Sequence, residues 1–248
     1  MKVELFWTGA EVDPEAVRGH AALVIDVLRA TTMMARLLEC GAAAVYPVAR
    51  IEEALELAGR LGPEAVLAGE RGGLRPDGFH LGNSPLEVEP DLVAGRPVVM
   101  TTTNGTQAAA RCREARVLAA ASFVNAARAV EWAMLRAPER LFLVCAGTNG
   151  DFSLDDALCA GLLAARLAEA GAELASDAAL AASMLYRQAE GDLAGAVRRA
   201  RHAQLLERLQ FGADIEFALR IDSLRALPVR ERGEDGFDRM VLDDGKGE

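Results

Sequence analysis

The chain has 248 residues, 51% apolar and 26% charged, which is enough to bury a sizeable core and too balanced for a disordered chain. With 23 Gly, 9 Pro and 4 Cys it is not a collagen-like repeat, a low-complexity linker or a small disulfide scaffold. A formal net charge of −10 argues against nucleic acid and anionic membranes as partners.

No apolar run reaches the roughly 18–20 residues of a membrane-spanning helix, and Met1-Lys2-Val3-Glu4 does not open a signal peptide. A cytoplasmic protein is expected. Cys40, Cys112, Cys145 and Cys159 lack a C-x-x-C pair or a His at zinc spacing, so they read as reduced, buried small residues. Apart from Lys2 and Lys246 every basic residue is arginine, the side chain suited to forked anion contacts.

In chain order, short apolar runs alternate with helix-period stretches, the pattern of an α/β domain around a buried sheet. Strands are expected at 3–8, 21–28, 43–48, 65–69, 97–102, 116–121 and 141–146, with helices at 31–40, 51–60, 106–115 and 125–136. From 153 to 209 the Ala- and Leu-rich chain reads as three helices, broken at Gly171-Ala172 and Gly191-Asp192. A returning strand is expected at 215–221, then a polar exit from Pro228 and a polar tail over 231–248, of which about the last dozen residues are expected to be weakly ordered. The expected fold is a three-layer α/β/α domain over 1–230 with a largely parallel or mixed sheet and a helical segment near 153–210. A helical subdomain at 172–212 is the alternative division.

Four segments place polar residues at the carboxyl end of an expected strand, where open α/β sheets form their ligand crevice. Asp26 and Arg29 stand where a strand meets a helix that Thr31 or Thr32 would cap. Glu70 and Arg71 are enclosed by Gly69, Gly72 and Gly73, and the loop from Gly78 to Pro85 is expected to cover them. Thr101-Thr102-Thr103-Asn104-Gly105-Thr106 offers hydroxyls and helix-start N–H groups for an oxyanion. Asp155 and Asp156 open a helix, where they either complement its dipole or ligate a hard cation.

Together these residues suit Mg²⁺ and a multiply charged anion, hence phosphoryl transfer or phosphate ester hydrolysis. No Cys-x₅-Arg, Asp-x-Asp-x-Thr, Arg-His-Gly, Gly-x-Ser-x-Gly or His-Glu-x-x-His is present. His20, His80 and His202 read as solvated or capping residues, and Cys145 as a small core residue. A binder of anionic metabolites on the same scaffold is the alternative to an enzyme.

The motif set resembles the 2-phosphosulfolactate phosphatase (ComB) family over about residues 20–230. It comprises Asp26-Val27-Leu28-Arg29-Ala30-Thr31-Thr32, Gly69-Glu70-Arg71-Gly72-Gly73, Leu81-Gly82-Asn83-Ser84-Pro85, Thr102-Thr103-Asn104-Gly105-Thr106 and Cys145-Ala146-Gly147, with Leu154-Asp155-Asp156, Ala160-Gly161 and Phe211-Gly212-Ala213-Asp214-Ile215. The resemblance implies a Mg²⁺-dependent acid phosphatase that hydrolyses (2R)-phospho-3-sulfolactate to 3-sulfolactate and phosphate, a step of coenzyme M biosynthesis. It implies Asp26, Glu70 and Asp156 in catalysis, and Asp26, Glu70, Asp155 and Asp156 at the metal. Arg29 and Arg71 would bind oxyanions, and Thr102, Asn104, Gly105 and Thr106 would cradle the phosphate. Asp155 departs from the expected Glu and His80 from an expected acid. The expected partner is a small phosphate ester, with a homo-oligomer left open.

Overall fold

Each of the seven apolar runs becomes a strand in the computed structural model of the chain, which describes residues 1–233 and 237–245. In chain order the strands are β1 (Lys2–Phe6), β2 (Ala21–Ile25), β3 (Ala44–Val48), β4 (Val66–Gly69), β5 (Pro97–Thr101), β6 (Val117–Ala121), β7 (Arg140–Cys145), β8 (Glu173–Leu174), β9 (Pro228–Arg232) and β10 (Asp238–Leu242). The helices are α1 (Pro14–Val17), α2 (Ala30–Glu39), α3 (Ile51–Leu61), α4 (Pro90–Val93), α5 (Gly105–Arg111), α6 (Ala126–Arg136), α7 (Leu154–Glu169), α8 (Asp177–Ala189), α9 (Leu193–Arg198), α10 (Arg201–Arg208) and α11 (Gly212–Ala218).

The strands form one mixed, mostly parallel sheet in the order β4-β5-β3-β10-β9-β6-β2-β7-β1-β8, the middle layer of a three-layer α/β/α fold. On β2, Leu23 and Ile25 pack with Trp132 of α6 and Leu158 of α7, while Ala22 and Val24 pack with Met33 and Leu37 of α2. Burial on both faces is why this strand is an unbroken apolar run rather than an alternating one.

The hairpin β9-β10 lies antiparallel to β6 on one side and to β3 on the other, so the two parallel blocks run in opposite directions. In a flat sheet the carboxyl ends of β2 and β5 would point to opposite edges. One core cluster nevertheless gathers Val24 of β2, Leu118 of β6, Val98 and Met100 of β5 and Ala68 of β4 around α2. The sheet therefore wraps about α2, as accumulated strand twist allows, and the carboxyl ends of both blocks converge.

Three expectations are corrected. Residues 228–232 and 238–242 are the paired strands of the central hairpin, not a polar exit leading to a weak tail, with residues 234–236 and 246–248 lying outside the described ones. Its charges are satisfied within the fold: Arg230 donates to the Cys112, Arg113 and Ala115 carbonyls, and Arg239 pairs with Glu231 at 2.8 Å. The segment 215–221 is not a strand; its first half belongs to α11. Ile215, Phe217, Leu219 and Ile221 recur at period two, but burial falls on Asp214, Ile215, Phe217 and Ala218, one helical face. The stretch 153–209 holds four α-helices because Ala200, in extended backbone, separates α9 from α10.

Helices α7 and α8 pack closely at Gly161, where an added Cβ would strike the Ala182 carbonyl oxygen and lie 2.7 Å from Tyr186 Cβ. Gly161→Ala is therefore expected to destabilise the protein by about 1–3 kcal/mol. The denaturant midpoint should fall with no change in slope; an unchanged midpoint would show that α8 yields freely.

Candidate active site

Asp26, Arg29, Glu70, Thr102 and Asn104, drawn from the ends of β2, β4 and β5, line a single pocket of about 110 Å³. Asn83, Thr103, Thr148, Asn149 and His202 complete its polar wall.

Asp26 follows β2 directly. Its Oδ1 accepts from the Ala30 N–H at 3.2 Å, and the Gly105 N–H also donates to this carboxylate. A Cβ at Gly105 would lie 2.7 Å from Asp26 Oδ2 and 2.6 Å from Ala30 Cβ, so only glycine lets α5 approach this closely. Burial, joined by the charges of Asp155 and Glu70, pushes the Asp26 carboxyl up to about 7 against the pull of the two N–H groups. Thr31 and Thr32 do not cap α2, because Arg29 holds that position. Their hydroxyls instead donate to the Asp26 and Val27 carbonyls, each at 2.8 Å, bracing the strand-to-helix turn.

Glu70 joins two loops. Its Oε1 accepts from the Thr103 N–H at 2.8 Å and the Thr103 hydroxyl at 2.9 Å, and its Oε2 from the Gly73 N–H at 2.8 Å. Asn104 Oδ1 accepts from the Asn149 N–H at 2.9 Å, tying the turn after β5 to the turn after β7. The expected phosphate cradle is partly consumed by the protein itself. Thr106 gives its hydroxyl to the Thr102 carbonyl and its N–H to Thr102 Oγ1, while the Gly105 N–H serves Asp26. Thr102 and Asn104 face the pocket; Gly105 and Thr106 do not line it.

The four-carboxylate metal set is not assembled. Asp156 lies behind the pocket, its oxygens accepting from the Val27 N–H at 2.9 Å and the Gly147 N–H at 3.0 Å. Asp155 accepts from Ser153 Oγ at 2.6 Å and from the Leu28 N–H. Burial raises the pKa of both, and for Asp156 the neighbouring Asp155 and Asp26 charges add to the rise. Among the described residues no three His, Cys, Asp or Glu side chains gather as a metal cluster. Asp26 and Glu70 are the two expected ligands that reach the pocket.

The two arginines also divide. Arg71 does not line the pocket; it donates to the Glu70 carbonyl, the Ala49 carbonyl and Thr101 Oγ1 at 2.6–2.9 Å. Arg29 is buried, paired with Asp214 at 2.6 Å, bonded to the Gly73 carbonyl at 2.9 Å and stacked 4.5 Å from the Phe211 ring. Its Nε has no hydrogen-bond partner among the described residues, and neither has Asn83 Oδ1, also buried. Buried polar atoms left unmatched beside a cavity need a ligand or water.

The family described as 2-phosphosulpholactate phosphatase matches residues 8–233. The chain belongs to that family. A probable 2-phosphosulfolactate phosphatase of Deinococcus radiodurans is 43% identical, covering 90% of this chain and 92% of the relative. Those of Thermotoga maritima and Microcystis aeruginosa are 41% and 38% identical, covering 88% and 93% of this chain and 92% and 97% of theirs. The stretch that matches the phosphatase family contains every residue of the pocket.

The sequence pattern does not reveal part of this pocket. His202, expected to be solvated or capping, is half-buried on the pocket wall and donates to the Leu28 carbonyl. Burial and the Arg29 charge lower its pKa, opposed chiefly by Asp155. Asn83 on the pocket wall, and Asp214 with its second partner Ser84 at 2.6 Å, lie in motifs that carry the resemblance, which gives neither a role. The loop before Pro85 does reach the pocket, through Asn83. His80 is exposed and accepts the Leu67 N–H at 2.9 Å. All four cysteines are buried thiols, and burial keeps Cys145 protonated and unsuited to act as a nucleophile. No helix among the described residues is long and apolar enough to cross a membrane.

Proposed function

We propose that the chain hydrolyses (2R)-phospho-3-sulfolactate, or a related small, multiply anionic phosphate ester, to the free hydroxy acid and phosphate. In a cell that makes coenzyme M this is a step of its biosynthesis. The observation that carries the reading is one pocket uniting Asp26 and Glu70 with a buried guanidinium whose Nε is unmatched, in a chain of the phosphatase family.

Magnesium is the cofactor in this reading. Mg²⁺ takes one or two carboxylates and keeps several waters, so Asp26 and Glu70 suffice as protein ligands. The fit is supported by Asp26, a buried carboxylate on the pocket wall beside Glu70 that makes no ion pair with the described residues, Arg29 being committed to Asp214. Bound there, the ion would neutralise charge on the phosphoryl oxygens.

The chain supplies the rest. Arg29 presents Nε to a phosphoryl oxygen while its other nitrogens stay anchored, stabilising developing charge without reorganising. The Thr102 hydroxyl and the Asn104 amide orient the group from the β5 side. Asp156 acts by positioning, since it holds the backbone on which Asp26 is mounted.

Purified protein incubated with phosphosulfolactate and Mg²⁺ is expected to release phosphate at about 1 s⁻¹ or faster, and EDTA to abolish the release. Binding without release would identify a non-catalytic binder of anionic metabolites. Release indifferent to EDTA would remove magnesium from the reading.

A further inference from the structure

A second hollow of about 680 Å³ adjoins the pocket and shares Thr148, Asn149, His202 and Leu205 with it. Arg199, Arg201 and Arg208 line it, all exposed, and Asp151 is its one acid among the described residues. On α10, Arg201, Leu205 and Arg208 recur at i, i+4 and i+7, so a single helix face looks into the hollow while Ala203 and Leu206 enter the core.

These guanidiniums make no ion pair with the described residues, whereas neighbouring Arg198 is held by Glu207 and Glu216 at 3.3 and 3.2 Å. In a chain of net charge −10 they concentrate free positive charge beside the pocket mouth. The inner pocket opens through its Thr148, Asn149 and His202 wall onto this hollow, so a polyanionic ester with its phosphoryl group inside has a path outward. The wall at His202 and Asn149 is where it would emerge.

We infer that Arg199, Arg201 and Arg208 form a second anion subsite that grips the acid group of the substrate that is not hydrolysed. The ligand class is a phosphate monoester carrying a sulfonate or carboxylate a few bonds from the ester oxygen. Guanidinium forks match either group, and two acting on one anion give selectivity that a single exposed pair does not. The inference rests on the phosphatase reading of the inner pocket, but its test does not require turnover.

The double variant Arg201→Ala/Arg208→Ala is compared with the parent on phosphosulfolactate and on phenyl phosphate, which lacks the second acid. The ratio of the two kcat/KM values is expected to fall at least tenfold, through KM, with the double lysine variant in between. A ratio unchanged within twofold overturns the subsite. Calorimetric affinities for 3-sulfolactate and inorganic phosphate are measured on the same proteins, and their ratio should fall similarly. If the parent hydrolyses neither ester the phosphatase reading fails, and the affinity ratio still decides whether the arginines bind the second acid.

Discussion

Asp26→Asn is expected to reduce phosphate release by about 10³-fold or more and, in metal-free buffer, to leave the protein more stable at alkaline pH. The first effect follows because the carboxylate faces the pocket beside Glu70 and is mounted on two backbone N–H groups. The second follows from linkage. The folded value, about 7, is raised above the ordinary 3.8, so between these pH values the folded protein holds a proton that the unfolded chain has released. Stability therefore falls as pH rises through this window. The difference between the two values corresponds to on the order of 4 kcal/mol, offset in the variant by an amide nitrogen that faces a backbone N–H. Denaturant midpoints at pH 5 and pH 8 in EDTA, with phosphate assays in Mg²⁺, check both. Parental turnover in the variant would remove Asp26 from the chemistry; a parent midpoint that rises with pH would contradict the uncompensated charge.

Asp214→Ala is expected to cost about 3–5 kcal/mol, because it leaves a buried guanidinium without its partner. The pair is nearly inaccessible, with side chains 2% and 3% exposed, and Asp214 also receives the Ser84 hydroxyl. On the role proposed for Arg29, turnover should fall as well, because the guanidinium loses its anchor. Glu231→Ala, which breaks an exposed pair with Arg239, is the contrast and should cost under about 1 kcal/mol. Equal losses in the two variants would show that burial does not set the strength of the Arg29–Asp214 pair.

Most of the seven strands are legible because two-sided burial makes each a short continuous apolar run bounded by turn residues, whereas β1 alternates in burial. The central hairpin is not, since its charged side chains bind distant carbonyls and resemble a solvated tail. Asp26 and Glu70 are legible as pocket residues because a charge closing an apolar strand requires a reason, and both face one hollow. Arg71 follows Glu70 by a single residue yet turns toward Ala49 and Thr101, a change of direction that spacing does not encode. Asp214 is illegible for another reason. Its partner Arg29 lies 185 residues away, and only the fold closes that distance. His202 looks like one basic residue among arginines until α10 is seen to lean on the pocket.

The central claim is that the ends of β2, β4 and β5 surround one polyanion site. A crystal structure of the protein with Mg²⁺ and 3-sulfolactate or inorganic phosphate tests it most directly. The anion is predicted against Arg29 Nε, Thr102 and Asn104, with the cation between it and the carboxylates of Asp26 and Glu70. An anion and cation bound together elsewhere, with this pocket filled by water alone, would contradict it.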